Sequence, residues 1–524
     1  MYFGGGGLAQ KDKLVRTTFL VTAVIILSKL FGLARDVVTA GVFGTGLEND
    51  AYASAYTLFY FPVLMFNSCI TATIVPLFVE ERQRFSAKHA NRFASNALNL
   101  FMLAALVIAA AMYVFAEPIV RLIFRFDAEG IALTVKLTRV MLLGLVFNVA
   151  SIVFSSLLNA MEQFLAAQLT GFPLSICVMV SVLVFSGTAG VAAIAWGVFA
   201  ASVLQALIQI PFMTGWFQYE PIIDFADRRF HRLLKLAGPA MLSMGISEIN
   251  HLIDRSLASG LVTGSISAMN YAYKLITFLL GVLMVPLTTI MFSKMSRLAA
   301  EDNRAGVMEA LRRSITMILL AALPIAAVAI VMSEDVVALI YQRGSFTRES
   351  VVMTGSVLAC YVIGVPSFGL RDLLNRTFHS LQDTRTPFCV ACLVVALNIG
   401  MNLVLRVFLG ARGLALATSL SSYCGLAVML VLLRRRIGNI HGERILPEIV
   451  KLVIAAAVCA AACLLVRSVL PQSEGILYVL LRLVVSTAAA FAAYLAVCAA
   501  LRVKSLHQGF ETIVTKAKKR RRRG

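Results

Sequence analysis

Apolar stretches about as long as a bilayer is thick recur from Thr17 to Leu501, and nothing else in the sequence constrains the fold as much. One crossing takes about 20 mostly apolar residues. Fourteen such stretches can be marked off, six before Gly215, six more up to Arg436 and two beyond. The connections between them are too short to house a sizeable soluble domain. With 59% of residues hydrophobic and 14% charged, against roughly 25% charged in soluble domains, a water-soluble globular protein is excluded. The expected fold is an all-α polytopic membrane protein of about 14 transmembrane helices, with two six-helix lobes in pseudo-repeat around a central cavity and a C-terminal helix pair. The expected organisation is a cytoplasmic tail (1–16), an N-lobe (17–215), a C-lobe (216–436), the last pair (437–503) and a basic cytoplasmic tail (504–524).

In so apolar a chain the position of the charges matters more than the net +20. With the N-terminus cytoplasmic, connections on that side hold 31 Lys+Arg and the opposite ones 7, with 9 inside the stretches. Positive charge is retained on the cytoplasmic side, so both termini are expected there. The tail Lys516 to Arg523 reads KAKKRRRR and follows a membrane helix without interleaved aromatics, which suits anionic lipid headgroups and not nucleic acid. All nine cysteines fall in apolar stretches and read as small buried hydrophobes. Cys389 and Cys392 have CxxC spacing but lack the setting of a zinc or redox site. The first apolar stretch contains Lys29 and Arg35 and no small-residue cleavage site, so a cleaved signal peptide is not expected.

A short internal echo points to duplication. Ala72 to Pro76 resembles Thr288 to Phe292 at an offset of 216, and Leu157 to Gln163 resembles Thr377 to Asp383 at 220. Two matches at nearly one offset suggest parallel six-helix lobes, as in alternating-access transporters whose site lies near the midplane.

A charge at the centre of a span costs roughly 2.5–3.5 kcal/mol on insertion scales, so each requires a partner or a watery cavity. At 1.5 Å per residue, Lys29 and Lys274 each lie about 12 Å below the outer edge of a hydrocarbon core about 30 Å thick. Coming from opposite lobes at one depth, they are expected to face an anionic substrate. The seventh span carries Glu248, His251 and Arg255 on one face, with Asn250 and Asp254 beside it. The tenth carries Arg371, Asn375 and His379, together with Asp372 and Arg376, spaced to neutralise each other. Histidines such as His251 and His379 more often hydrogen-bond within a bundle than relay protons. Asp254, Asn398, Asn402 and Thr418 form a candidate oxygen-only cation site, although asparagines in bundles commonly join helices. No metal-ligand cluster, phosphate loop, HExxH helix or GxSxG elbow occurs. A transporter is expected and an enzyme is not, with no cofactor beyond coupling to Na+ or H+.

Several motifs resemble the MurJ (MviN) family. They are Ser28-Lys29-Leu30-Phe31-Gly32-Leu33-Ala34-Arg35-Asp36, Phe43-Gly44-Thr45-Gly46, Asp50-Ala51-Tyr52, Gly264 to Leu275, Tyr341-Gln342-Arg343-Gly344-Ser345-Phe346, and Gln382-Asp383-Thr384-Arg385-Thr386-Pro387. They follow the family's order through nearly the whole chain. The resemblance implies a lipid II flippase of the multidrug/oligosaccharidyl-lipid/polysaccharide exporter superfamily. Such a protein moves undecaprenyl-pyrophosphate-linked peptidoglycan precursor from the inner to the outer leaflet of the bacterial cytoplasmic membrane, for cell-wall synthesis and cell shape. Lipid II and other cell-wall synthesis proteins are its implied partners.

The resemblance also implies substrate-binding roles for Lys29, Arg35, Asp50, Ser267 and Lys274; Arg255 is a further basic candidate for substrate binding, and Asp36, Glu248, Arg371, Asp372 and Arg376 are expected from their charges and spacing to gate or to form ion pairs. Two of the basic positions are Lys where many relatives have Arg, which keeps the charge and loses the bidentate fork. The second span reads Leu58-Phe59-Tyr60-Phe61-Pro62-Val63, without the Leu-Pro-Asn and following arginine of many relatives. The alternatives are an exporter of another polyprenyl-linked oligosaccharide and a MATE-like antiporter. The latter would favour unpaired acidic residues, which Lys29 and Lys274 argue against.

Overall fold

A computed structural model of the protein describes residues 6–301, 303–438, 442–471 and 475–503. The basic run 516–523 and the first five residues lie outside the described residues, among which there are twenty helices and no strand. In chain order they are α1 Gly6–Phe43, α2 Leu47–Arg84, α3 Ala87–Val114, α4 Ala116–Ile123, α5 Ala128–Leu142, α6 Leu145–Ala160, α7 Phe164–Gln168, α8 Gly171–Ala189, α9 Ala192–Leu207, α10 Ile210–Met213 and α11 Arg228–Ala258. They continue as α12 Ser265–Ala300, α13 Arg304–Val331, α14 Ser333–Tyr341, α15 Arg348–Val362, α16 Val365–Ser380, α17 Arg385–Leu409, α18 Ala411–Ile437, α19 Gly442–Val469 and α20 Ile476–Ala500.

Ten of these helices are long and apolar enough to cross a membrane, or twelve spans if each of two bent pairs counts as one. The fourteen expected segments include two more long helices, α1 and α11. Their apolar stretches are interrupted by Lys29, Arg35 and Asp36 and by Glu248, Asp254 and Arg255. The helix starts follow local chemistry. Asp127, Asn303 and Thr347 accept hydrogen bonds from Gly130 N, Gly306 N and Ser350 N, answering amides that the first helical turn leaves without a carbonyl.

The backbone records the duplication more clearly than the side chains do. The bent pairs α5–α6 and α15–α16 each turn by 44°, at Gly144 and Gly364, 220 residues apart. Glu162 and Gln382, also 220 apart, are non-glycine residues with the same φ of 58°. Each follows a helix that ends in the same hydrogen bonds, Met161 N to Leu157 O and Gln163 N to Leu158 O in one, Leu381 N to Thr377 O and Asp383 N to Phe378 O in the other. Gly190 and Gly410 repeat a φ of 56° and 57° between helix pairs. Between Ala72–Pro76, where the offset is 216, and Gly144, where it is 220, the second repeat is about one helical turn longer. The break after α3 at Phe115 recurs after α13 at Met332, an offset of 217.

The chain forms two compact units. Unit 1 runs to Ser267 and includes Arg343–Phe346, and unit 2 contains Ala268–Gln342 and the chain from Thr347 on. Unit 1 has a core of buried Ile70, Ile74, Phe78, Phe93, Leu137, Met141 and Leu157. The connection between α10 and α11 is tied along α3 by Asn91 Nδ2 to Trp216 O, Asn96 to both N and O of Asp224, and Asn99 Nδ2 to Ile222 O. In unit 2 the α19–α20 pair packs on α13 and α14. There Asp335, 1% exposed, stands between Arg467 at 3.0 Å and Arg482. Arg467 also donates to Val331 O at 2.7 Å and Arg482 to Pro471 O at 3.2 Å, so both guanidiniums tie helix-end carbonyls to the pair. The cysteines are all free. Cys69, Cys459, Cys463 and Cys498 are buried as expected, but Cys389 is exposed on α17, because an apolar side chain needs no protein interior where the surrounding solvent is hydrocarbon.

The Gln382 to Pro387 motif forms the corner between α16 and α17. Asp383 accepts from the Thr386 amide at 3.0 Å and its hydroxyl at 2.7 Å, and pairs with Arg436 at the end of α18. Burial alone would push this carboxyl up, but the Thr386 donors and the Arg436 guanidinium outweigh it and hold it below the ordinary carboxylate range. A depressed folded value means the stabilisation is present above the unfolded aspartate value of about 3.9 and is lost as pH falls through the folded one. Thermal midpoints of purified wild type and Asp383→Asn between pH 3 and 8 should therefore differ by a constant amount above about pH 5 and converge at the acid end.

Candidate functional site

Three of the motifs that seemed separate in the sequence meet at one corner of unit 1. Ser345 N donates to Gly41 O at 2.7 Å, bringing Arg343–Phe346 against the turn between α1 and α2. Gly44 and Gly344, with φ of 57° and 54°, sit where a Cβ would strike the carbonyl oxygens of Ser345 and Gly41. On the same turn Gly264, φ 92°, is pressed against Thr45 O. Left-handed φ and close backbone approach together admit only glycine.

Asp50 lies at this corner and is 2% exposed. Its carboxylate accepts from Gly264 N and Ser267 N, each at 2.7 Å, and from the Ser267 hydroxyl. The charge therefore answers the first amides of α12, where a helix start favours an anion. The structure thus joins two expected site residues, Asp50 and Ser267, with the acceptor capacity of Asp50 used by its own chain. Gly264, the third partner, opens the Gly264 to Leu275 motif but carried no expected site role. Its signal was its place in Val262-Thr263-Gly264-Ser265, just before a helix.

The basic residues have distinct settings. Lys29 on α1 is exposed and makes no ion pair among the described residues. Arg35 is bound at 3.1 and 3.0 Å through Nε and Nη2 to the neighbouring Asp36. Arg255 on α11 donates to Ala53 O of α2 at 2.9 Å, while Glu248, also on α11, is half-buried. In unit 2 the Lys274 ammonium lies 5.7 Å from the centre of the Tyr271 ring, within the range of a cation–π contact. Asp372 and Arg376 pair at 3.0 Å as their spacing implied. Arg371 reaches Ser422 at 3.3 Å, and its buried Nε has no hydrogen-bond partner among the described residues.

Of the candidate cation ligands, Asn402 Nδ2 donates to Asn398 Oδ1 at 2.9 Å and Asn398 Nδ2 to Thr418 at 3.3 Å, so α17 and α18 share one polar set in unit 2. Asp254 is buried in unit 1. Among the described residues no group of three or more His, Cys, Asp or Glu side chains suits a metal ion. The Asp335, Arg467 and Arg482 cluster was not anticipated, because its members are widely separated in sequence and two of them fall near helix ends.

The Asp50 corner makes a stability prediction. Asp50→Ala leaves buried donors unanswered at about 1–3 kcal/mol for a hydrogen-bonded charged group, and Gly264→Ala forces a Cβ against Thr45 O. Both variants should lower the thermal unfolding midpoint of the purified, substrate-free protein. Asp50→Asn should fall between wild type and Asp50→Ala, because its amide oxygen still accepts.

Comparison with known proteins agrees with this architecture. The family described as Lipid II flippase MurJ matches residues 39–486. A "Probable lipid II flippase MurJ" of Rhizobium meliloti is 31% identical over 468 residues, 86% of each chain, and one of Thermotoga maritima is 26% identical over 469 residues, covering 89% of this chain and 94% of its own. The solved structure "Lipid II flippase MurJ, inward closed conformation" superposes with a TM-score of 0.77 at 24% identity, over 91% of this chain and 98% of that one. An inward-facing MATE transporter of the MOP superfamily shares the fold at a TM-score of 0.70 and 16% identity, covering 80% of this chain and 98% of its own. The long match to the family, and a relative above 30% identity over most of both chains, establish that this multi-pass membrane protein belongs to the lipid II flippase MurJ family.

Proposed function

We propose that this protein is a lipid II flippase that moves undecaprenyl-pyrophosphate-linked peptidoglycan precursor from the inner to the outer leaflet of the bacterial cytoplasmic membrane by alternating access. The observation that carries the reading is family membership over residues 39–486 in a chain whose apolar helices retain cationic side chains. A pyrophosphate crossing hydrocarbon must exchange its hydration for cationic partners, and Lys29, Arg255 and Lys274 are the groups we assign to that task. Lys29 is the most available of them, being exposed and making no ion pair among the described residues. Arg35 and Asp36, already paired, present little net charge and shape the site by position. No bond is made or broken in the carried molecule, so the protein is a transporter and its work is differential binding in two states.

Both termini are assigned to the cytoplasm on the distribution of Lys and Arg, and the run 516–523 is assigned to anionic headgroups. Other cell-wall synthesis proteins are its further proposed partners. For the driving force we propose coupling to Na+ or H+, with the Asp254 carboxylate of unit 1 and, separately, the Asn398, Asn402 and Thr418 set of unit 2 as the oxygen groups to test.

The deciding experiment is the outer-leaflet appearance of lipid II in cells depleted of their own flippase and supplied with this protein. Intact protein should restore export, and Lys29→Ala or Lys274→Ala should abolish it while inserting normally. Inserted wild-type protein that exports none, or both variants at full activity, overturns the reading, and another polyprenyl-linked glycan then becomes the substrate to test. Coupling is read separately by titrating sodium in the same assay. Asp254→Asn should flatten the dependence, and an unchanged curve removes sodium from the mechanism.

A further inference from the structure

Unit 1 contains a cavity of about 320 Å³ among α2, α6, α8 and α9, within the range of small-ligand pockets. Its α2 wall runs from Tyr56 to Thr71, roughly 14 to 36 Å along the helix from Leu47 at 1.5 Å per residue, which places it at spanning depth. None of the lining residues is Lys, Arg, Asp or Glu, yet many are amides or hydroxyls, including Asn67, Asn148, Ser151, Ser155, Thr170 and Gln205. A lining of this kind suits neither a phosphate, which wants cations, nor an acyl chain, which would leave the amides unanswered.

The polar wall is held in place. Asn148 Nδ2 donates to Gln205 Oε1 at 3.1 Å, Gln205 Nε2 to Thr170 O at 2.9 Å, and Ser155 to Gln209 Oε1 at 2.9 Å. These bonds tie α6, α8 and α9 together and fix the direction of each amide. Asn67 differs, being exposed on the cavity wall, with no hydrogen bond from its side-chain amide among the described residues. Two to three turns earlier on the same α2 wall the rings of Tyr56 and Tyr60 stack at 5.4 Å with 14° between their planes, adding aromatic surface to the lining. Oriented amides and hydroxyls beside aromatic rings complement an uncharged sugar, whose polar edge takes hydrogen bonds while its C–H face rests on a ring.

We propose that this cavity receives a neutral sugar ring of the lipid-linked substrate, with the Asn67 amide hydrogen-bonding its hydroxyl or amide substituents. The proposal rests on the flippase reading and deepens it, because it gives the carbohydrate neutral partners of its own in addition to the cationic groups assigned to the pyrophosphate.

The test uses full-length protein in lipid nanodiscs and two probes, lipid II and undecaprenyl pyrophosphate, which lacks the sugars and peptide. Wild type should bind lipid II more tightly. Asn67→Leu should weaken lipid II binding roughly three- to tenfold, the worth of about one hydrogen bond, and leave undecaprenyl pyrophosphate binding unchanged. Thr71→Leu, which fills the cavity one turn from Asn67 and leaves the Asn148, Gln205 and Ser155 side chains in place, should show the same selective loss, so the proposal does not depend on one variant folding well. Loss of both probes alike, no loss of either, or equal wild-type affinity for the two would leave the cavity to water and overturn the sugar site. The last result would leave pyrophosphate recognition standing, whereas wild type that binds neither probe overturns the flippase reading itself.

Discussion

In hydrocarbon a polar group has no water to fall back on, and the arrangement of this protein follows from that constraint. Backbone amides and carbonyls are satisfied within helices, which is why apolar stretches of this length become α-helical and why no strand occurs among the described residues. Where helices break, the structure supplies substitutes. Asp127 and Thr347 answer free amides, and Arg467 and Arg482 answer the carbonyls of Val331 and Pro471. The same two arginines enclose Asp335, so one carboxylate holds the final helix pair to α14. Taking any one partner from such a buried set would expose the desolvation cost of the others.

The corner around Asp50 shows how one charge can organise backbone from distant parts of the chain. Its three acceptor contacts start α12, and the glycines at positions 44, 264 and 344 let three backbones approach more closely than side chains would permit. The corner lies at the end of α1, which also carries Lys29 and the Arg35–Asp36 pair. Asp50 itself stands on α2 and is spent on anchoring, while Lys29, on the neighbouring α1, is exposed.

Within unit 1 the cationic groups and the neutral cavity wall are carried by different helices. The cationic positions lie on α1 and α11, whereas the cavity among α2, α6, α8 and α9 has a wall of amides and hydroxyls without a charge. A carried molecule that joins a pyrophosphate to uncharged sugars presents the same division. The physical benefit is that neither portion has to be desolvated against groups suited to the other.

The sequence by itself determined the class of fold, the family and the duplication, because hydropathy runs, charge asymmetry and ordered motifs are written locally and survive without knowledge of packing. The i, i+4 pairing of Asp372 with Arg376 was legible for the same reason. Tertiary structure decided the rest. It showed that Arg35 is neutralised by its neighbour, that Asp50 is consumed by Gly264 and Ser267, and that Arg255 grips the Ala53 carbonyl. It brought Asp335 between Arg467 and Arg482, and it gathered Asn67, Asn148 and Gln205 around one cavity. These contacts join residues far apart in the chain, and the energy that forms them depends on burial and direction. Neither quantity exists until the helices have packed.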